Sequence, residues 1–163
     1  MAVRNCAEIG ENLQKIIKRL MANDVLVNLL YYSDKDPYSN PPLTDEQKQQ
    51  EIFEKLIKVT PRVGPKADAK SIVVVSVVRG VTNIENAEFK DVTIRIEVFV
   101  PLTQWMIKDS NLRPFAILGE IQKSLNNKTI NGLGKMTGGS FEVSFFTDEM
   151  TCYTQNYHLV SYV

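Results

Sequence analysis

Residues 71–79, SIVVVSVVR, and residues 92–101, VTIRIEVFVP, decide the fold class. The first run is rich in β-branched residues and apolar on both faces, the pattern of a central strand covered on both sides. The second alternates, with Val92, Ile94, Ile96, Val98 and Val100 on one face and Thr93, Arg95, Glu97 and Phe99 on the other. Pro101 ends it. Together they read as an antiparallel hairpin with a long polar connection, GVTNIENAEFKD, at residues 80–91.

Upstream of this hairpin the period is helical. Ile9, Leu13, Ile16, Ile17 and Leu20 form one stripe, with Glu11, Lys15, Lys18 and Arg19 outside it. Asn23 or Asp24 can cap a second, mostly buried helix through VLVNLLYY. The prolines of SDKDPYSNPPL break any period and predict a Pro-rich loop at about 33–44. Thr44-Asp45-Glu46-Gln47 is a capping box, opening a helix from about Asp45 to Lys58 that Val59-Thr60-Pro61 stops.

Downstream, LTQWMIKDSNLR is a short link carrying the only tryptophan. Pro114 then opens a helix with Phe115, Leu118, Ile121 and Leu125 on one face. NGLGKMTGGS predicts a glycine-rich loop at about 131–140, and two strands, SFEVSFFTD and TCYTQNYHLVSYV, close the chain with Asp148-Glu149 at their turn. The expected architecture is one α+β domain over residues 1–163: a four-stranded, mainly antiparallel sheet packed by helices, in the order α-α-α-β-β-α-β-β.

Composition limits the function classes. Hydrophobic residues at 44% and charged residues at 23% are those of a globular domain, not a disordered or fibrous chain. Nineteen Lys+Arg balance nineteen Asp+Glu, so no general attraction draws the chain to nucleic acid or an anionic membrane. The N-terminal segment lacks the apolar core of a secretory signal, and the longest apolar run, Ile72 to Val78, falls far short of a membrane span. The expectation is a soluble protein with Cys6 and Cys152 as reduced thiols in a cytoplasm-like compartment.

The glycine stretch invites a phosphate-loop reading, G-x-x-x-x-G-K-[ST], with Gly134-Lys135 as its G-K pair. The first required glycine falls on Thr129, however, and Met136 follows the lysine. A helix precedes and a strand follows, so no helix N-terminus faces an anion there, and a helix stop with a hinge is the better reading. Asp34, Asp36, Ser39 and Asn40 begin like a calcium loop, but Ser39 and Asp45 occupy the positions that need glycine and glutamate. His158 is the only histidine, no Ser or Cys sits in a nucleophile motif, and Asp148 and Glu149 are adjacent in a turn, which points their carboxyls apart. No catalytic set, metal site or cofactor is therefore expected. Trp105, beside Leu102, Met106 and Ile107, reads as a core or an interface anchor.

Three segments carry a resemblance: LLYYSDKDPYSNPPLTDEQ, the strands from KSIVVVSVV to FKDVTIRIEVFVPLTQWMI, and LRPFAILGEIQKSLNNKTINGLGKM. From about residue 24 onward the chain resembles small neck proteins of tailed bacteriophages, nearest the tail terminator or head-to-tail joining family. That resemblance implies a non-enzymatic virion protein, assembled in the host cytoplasm and located in the virion neck. It would act as a homomeric ring, usually a hexamer, that caps the tail tube and joins it to the head connector. Implied partners are neck, connector and tail tube proteins, with no membrane, and with DNA passing through the ring without sequence-specific binding. Candidate subunit or channel contacts are Asp34, Asp36, Tyr38, Trp105, Lys128 and Lys135, and Lys123 joins the two loop lysines as a possible channel residue. The alternatives are another neck or connector component, such as a head completion (stopper or adaptor) protein, a nucleotide-binding enzyme using the glycine stretch, or a virion-associated nucleic-acid binder.

Overall fold

The computed structural model describes residues 7–60, 70–82, 90–130 and 134–160. Cys6, Pro61, most of the 80–91 connection and the Asn131 to Leu133 part of the glycine stretch lie outside them. The helices are α1 (Glu8–Met21), α2 (Asp24–Tyr31), α3 (Asp45–Glu51) and α4 (Arg113–Leu125). The strands are β1 (Ile57–Lys58), β2 (Ile72–Thr82), β3 (Lys90–Pro101), β4 (Met106–Ile107), β5 (Asn111–Leu112), β6 (Thr129–Ile130), β7 (Gly134–Phe146) and β8 (Met150–Val160).

The expected four-stranded sheet and its order α-α-α-β-β-α-β-β are incorrect. The main sheet has six strands in the order β1-β2-β3-β8-β7-β6, and β4 and β5 form a separate two-stranded ribbon. It is mixed, because β1 runs parallel to β2 while the other neighbours are antiparallel. The added strands, β1 and β6, are each 2 residues long, too short to show alternation in a sequence. They exist because the ends of β2 and β7 offer unpaired backbone that Ile57-Lys58 and Thr129-Ile130 satisfy. Nor is β2 central. Beyond Val74 no described strand lies on its outer side, and Val78 and Val81 are exposed.

Local signals explain the helical layer. Glu8 and Glu11 sit in the first turn of α1 and Lys18 and Arg19 in its last, the placement the helix dipole favours. The Asn23 side chain caps α2 by accepting from the Leu26 amide at 3.1 Å, and its own amide reaches Glu120 and Ser124 of α4 at 3.0 Å. The capping box forms, with Gln47 N–H on Thr44 Oγ1 at 3.2 Å and Thr44 N–H on Gln47 Oε1 at 2.9 Å.

The helix after that box stops at Glu51, well before the expected Lys58. Glu54 adopts a left-handed φ of 56°, and the Leu56 carbonyl accepts from the Val73 amide at 2.8 Å. A helix continued to Lys58 would withdraw Leu56 and Ile57 from the sheet edge they complete. In α4, Ile117 is fully buried while Phe115 is 38% exposed, so the apolar face is rotated from the expected one.

The glycine stretch expected as a loop is already strand from Gly134 onward. Its glycines are needed for contact and bending. Gly138 has a φ of +143°, and a Cβ there would sit 2.4 Å from the Asn156 carbonyl oxygen. Gly139, with a φ of +102°, is the extra residue where the β7–β8 register shifts. Its carbonyl accepts from the Gln155 side chain at 3.1 Å.

The helices cover one face of the sheet. On that face Val92, Ile94, Ile96, Val98 and Val100 of β3 are buried, and a small cavity lined by Ile9, Asn12, Leu13, Ile16, Val77, Val92, Ile94 and Leu159 marks where α1 packs on it. Replacing Gly138 by Ala is expected to cost about 2–3 kcal/mol and lower the Tm by roughly 5–10 °C, because a backbone carbonyl must move. Gly80→Ala, with nothing within 4 Å of its added Cβ, is expected to change stability by less than about 0.5 kcal/mol. Calorimetry of the two variants checks this.

Candidate functional site

Strand register carries the helix-covered face from β3 through Thr151, Tyr153, Gln155, Tyr157 and Leu159 of β8 to Met136, Gly138, Phe141, Val143 and Phe146 of β7. Met136 is fully buried, but Phe141 and Val143 are each 53% exposed and Phe146 is 63% exposed. The helices roof only the first part of β7. Phe115, from the first turn of α4, meets Phe141 at 5.8 Å and Tyr153 at 5.2 Å between ring centroids. Trp105 lies edge-on to Phe146 at 5.9 Å. These separations and tilts are those of favourable aromatic pairs. With Met106 exposed at the rim, the rings make one apolar surface. A groove lined by Phe115, Leu118, Gln122, Ser140, Phe141 and Gln155 runs from it between α4 and β7.

Arg113 positions the α4 side of this surface. It is fully buried, and all its side-chain hydrogen bonds end on backbone carbonyls. Nε donates to Gln104 at 2.8 Å, Nη1 to Leu29 at 2.5 Å and Tyr32 at 2.9 Å, and Nη2 to Asp34 at 2.6 Å. Burial pulls its pKa down, and the charge of Asp34 opposes that shift. The guanidinium therefore ties the end of α2, the Pro-rich loop and the link before α4 to one point.

The sequence-derived contact residues do not converge. The carboxylate of Asp34 accepts from the Asp36 amide at 3.0 Å and from Asn40 at 2.9 Å. That of Asp36 accepts from Ser39 at 2.6 Å and Lys108 at 3.2 Å. Both acids thus fold their own loop. The Ser39 hydroxyl and then Lys108 hold the Asp36 carboxyl below its usual range. Its contribution to loop closure is present above the ordinary pKa of 3.8 and is lost as the pH falls through the lowered value. Tyr38 is 46% exposed on the same loop. Trp105 belongs to the aromatic surface. Lys128 is exposed beside β6 and shares a hollow with Lys123, whereas Lys135 of β7 lies opposite Thr129 of β6. A separate groove lined by Lys15, Lys18, Arg19, Ala22, Thr129 and Ile130 is cationic.

Sequence reasoning missed Phe115, Phe141, Phe146 and Tyr153 as one surface. The available signal was Phe145-Phe146, since adjacent strand residues face opposite ways and the two rings cannot both enter one core. Sequence gave no sign of the buried Arg113.

Reactive groups are placed for structure. Cys152 is buried, and desolvation with the nearby Glu97 charge pushes its thiol up to about 12. His158 is exposed, its Nδ1 3.2 Å from the Thr93 hydroxyl. Among the described residues, no group of three or more His, Cys, Asp or Glu is arranged to hold a metal ion. No helix among them is long and apolar enough to cross a membrane.

What fold and surface define is an α+β protein that presents a rigid aromatic face on a sheet. Residues 23–159 match the YomW family, and the chain belongs to that phage-derived family. No curated protein and no solved structure matches it.

Arg113→Met leaves four carbonyl bonds unmade, and the expected loss is on the order of 3 kcal/mol. Faster amide exchange in residues 32–36 than elsewhere would accompany it. In a Cys6→Ser background, Cys152 is expected to stay unlabelled by a thiol-specific disulfide reagent at pH 8 and to react fully in denaturant, which absorbance of the released thiolate reads directly.

Proposed function

We propose that this chain is a structural, non-enzymatic protein of a phage virion neck: a tail terminator that caps the tail tube and joins it to the head connector as a homomeric ring. The observation that carries this reading is one apolar surface on which Phe115 of α4 and Phe141, Val143 and Phe146 of β7 are exposed, with the partly buried Trp105 beside Phe146. Contiguous exposed apolar groups of this kind suit protein partners, and tryptophan and aromatic residues dominate the energetics of such contacts. Membership in the phage-derived YomW family supports it. So does the segment resemblance to tail terminator and head-to-tail joining proteins.

In this reading the ring's partners are neck, connector and tail tube proteins, and it is assembled in the host cytoplasm. DNA passes through without sequence-specific binding. The Lys15, Lys18 and Arg19 groove and the separate hollow with Lys123 and Lys128 offer phosphate contacts that carry no base information.

Light scattering of purified protein is expected to give a multiple of the 18.5 kDa chain, with hexamer as the expected size, and electron microscopy to show rings. Antibody to the chain is expected to label virion necks. Phe146→Ser is expected to leave Tm nearly unchanged and to weaken attachment of tails to heads. A strictly monomeric protein that labels no necks would overturn the reading.

A further inference from the structure

We propose that neighbouring copies of this chain join edge to edge, with β7 of one copy adding as an antiparallel strand to β2 of the next. The inference rests on the ring reading above and names its subunit junction. Both strands have long open edges among the described residues. β6 pairs with β7 only at Gly134 and Lys135, and the backbone of Asn127 and Lys128 bonds Met136. The Gly138 amide donates to the Asn126 side chain at 3.3 Å, and from Gly139 to Phe146 no described strand lies on the outer side of β7. β1 pairs with β2 only at Val73 and Val74, which leaves the strand open from Val75 to its end at Thr82. Long open edges carrying apolar side chains recruit another strand unless something covers them.

Direction and register both fit. β2 and β8 are each antiparallel to β3, and β7 is antiparallel to β8, so β7 runs opposite to β2 and continues the alternation of the sheet. Set Glu142 opposite Arg79 of the next copy: both are exposed, opposite in charge, and on the face away from the helices, as their partners Thr154 and Thr93 show. Phe141 then faces Gly80 and Phe146 faces Val75, pairs that all lie on the helix-covered face. A ring over a strand glycine covers backbone that no side chain of its own protects, and nothing lies within 4 Å of a Cβ built on Gly80.

The irregularities match too. Within the stretch matched here each strand carries one extra residue where its register shifts, Val78 in β2 and Ser144 in β7; the other β7 bulge, at Gly139, lies before it. Between the Arg79–Glu142 pair and the next matched pair, Ser76–Phe145, lie Val77 and Val78 on one strand and Val143 and Ser144 on the other. The bulges therefore face each other and neither strand slips. The exposed Val78 and Val143 meet there. β7 ends at Phe146, opposite Val75, the first residue that β1 leaves free. Because the two edges differ, the contact is head to tail and closes as a ring when the rotation allows.

Charge reversal tests the junction, with circular dichroism confirming that each variant folds. Arg79→Glu and Glu142→Arg are each expected to raise the concentration at which rings dissociate at least tenfold. Both changes in one chain, or a mixture of the two single variants, are expected to restore assembly. Arg79→Cys with Glu142→Cys, in a Cys6→Ser background, is expected to give a disulfide ladder of linked chains under oxidation. Wild-type rings whose single variants assemble normally, with no ladder, would overturn the junction and leave the ring reading standing. Loss in Glu142→Arg alone, with no effect of Arg79→Glu, would place β7 against another surface and also overturn it. A wild-type chain that is monomeric at every concentration would overturn both.

Discussion

Arg113 is a charged side chain with no exposed surface, and it is held by backbone carbonyls from three separate segments. A buried cation is costly unless its donors are met, so its position fixes theirs. Leu29 and Tyr32 end α2, Asp34 begins the Pro-rich loop, and Gln104 precedes Trp105. The Arg113 amide also donates to the Trp105 carbonyl at 2.8 Å. One residue thus sets the start of α4, which carries Phe115, and the seat of the indole. The aromatic surface has its present shape because those two groups cannot move independently of the core.

The Pro-rich loop depends on the same anchor. Lys108 N–H donates to the Lys35 carbonyl at 2.6 Å, and Lys108 Nζ reaches the Asp36 carboxylate at 3.2 Å. The exposed ion pair contributes little by itself. It closes a loop that Arg113 has already docked, and the carboxylates of Asp34 and Asp36 hold that loop's turns.

Signals that are local and repeated were legible in the sequence, and those that depend on a distant partner were not. The stripe of Ile16, Ile17 and Leu20, the Asn23 cap, the Thr44 capping box and the alternation through Val92 to Val100 all act within a few residues, and each appears where it was read. Ile57-Lys58 and Thr129-Ile130 are strands only because β2 and β7 lie beside them. The glycines of residues 134–139 read as a joint because glycine frees a chain. At Gly138 the absent Cβ instead admits the Asn156 carbonyl, a contact no local pattern reveals. The aromatic surface was hidden for a related reason. Alternation says which residues share a face, but not where the helices covering that face stop.

That limit of the helical cover gives β7 its character. Met136 lies in the core with the strand held by β6, while Phe141, Val143 and Phe146 on the same face stand in solvent. Both halves pair with β8 along their length, apart from the two bulges. A surface carried by a paired strand is ordered before any partner arrives, whereas the same rings on a loop would lose backbone freedom on docking, at roughly 1–2 kcal/mol per residue fixed. The rings are also restrained by one another, since Phe115, Phe141 and Tyr153 touch pairwise. The exposed apolar area is therefore fixed in shape both by the paired strand and by the contacts among its rings.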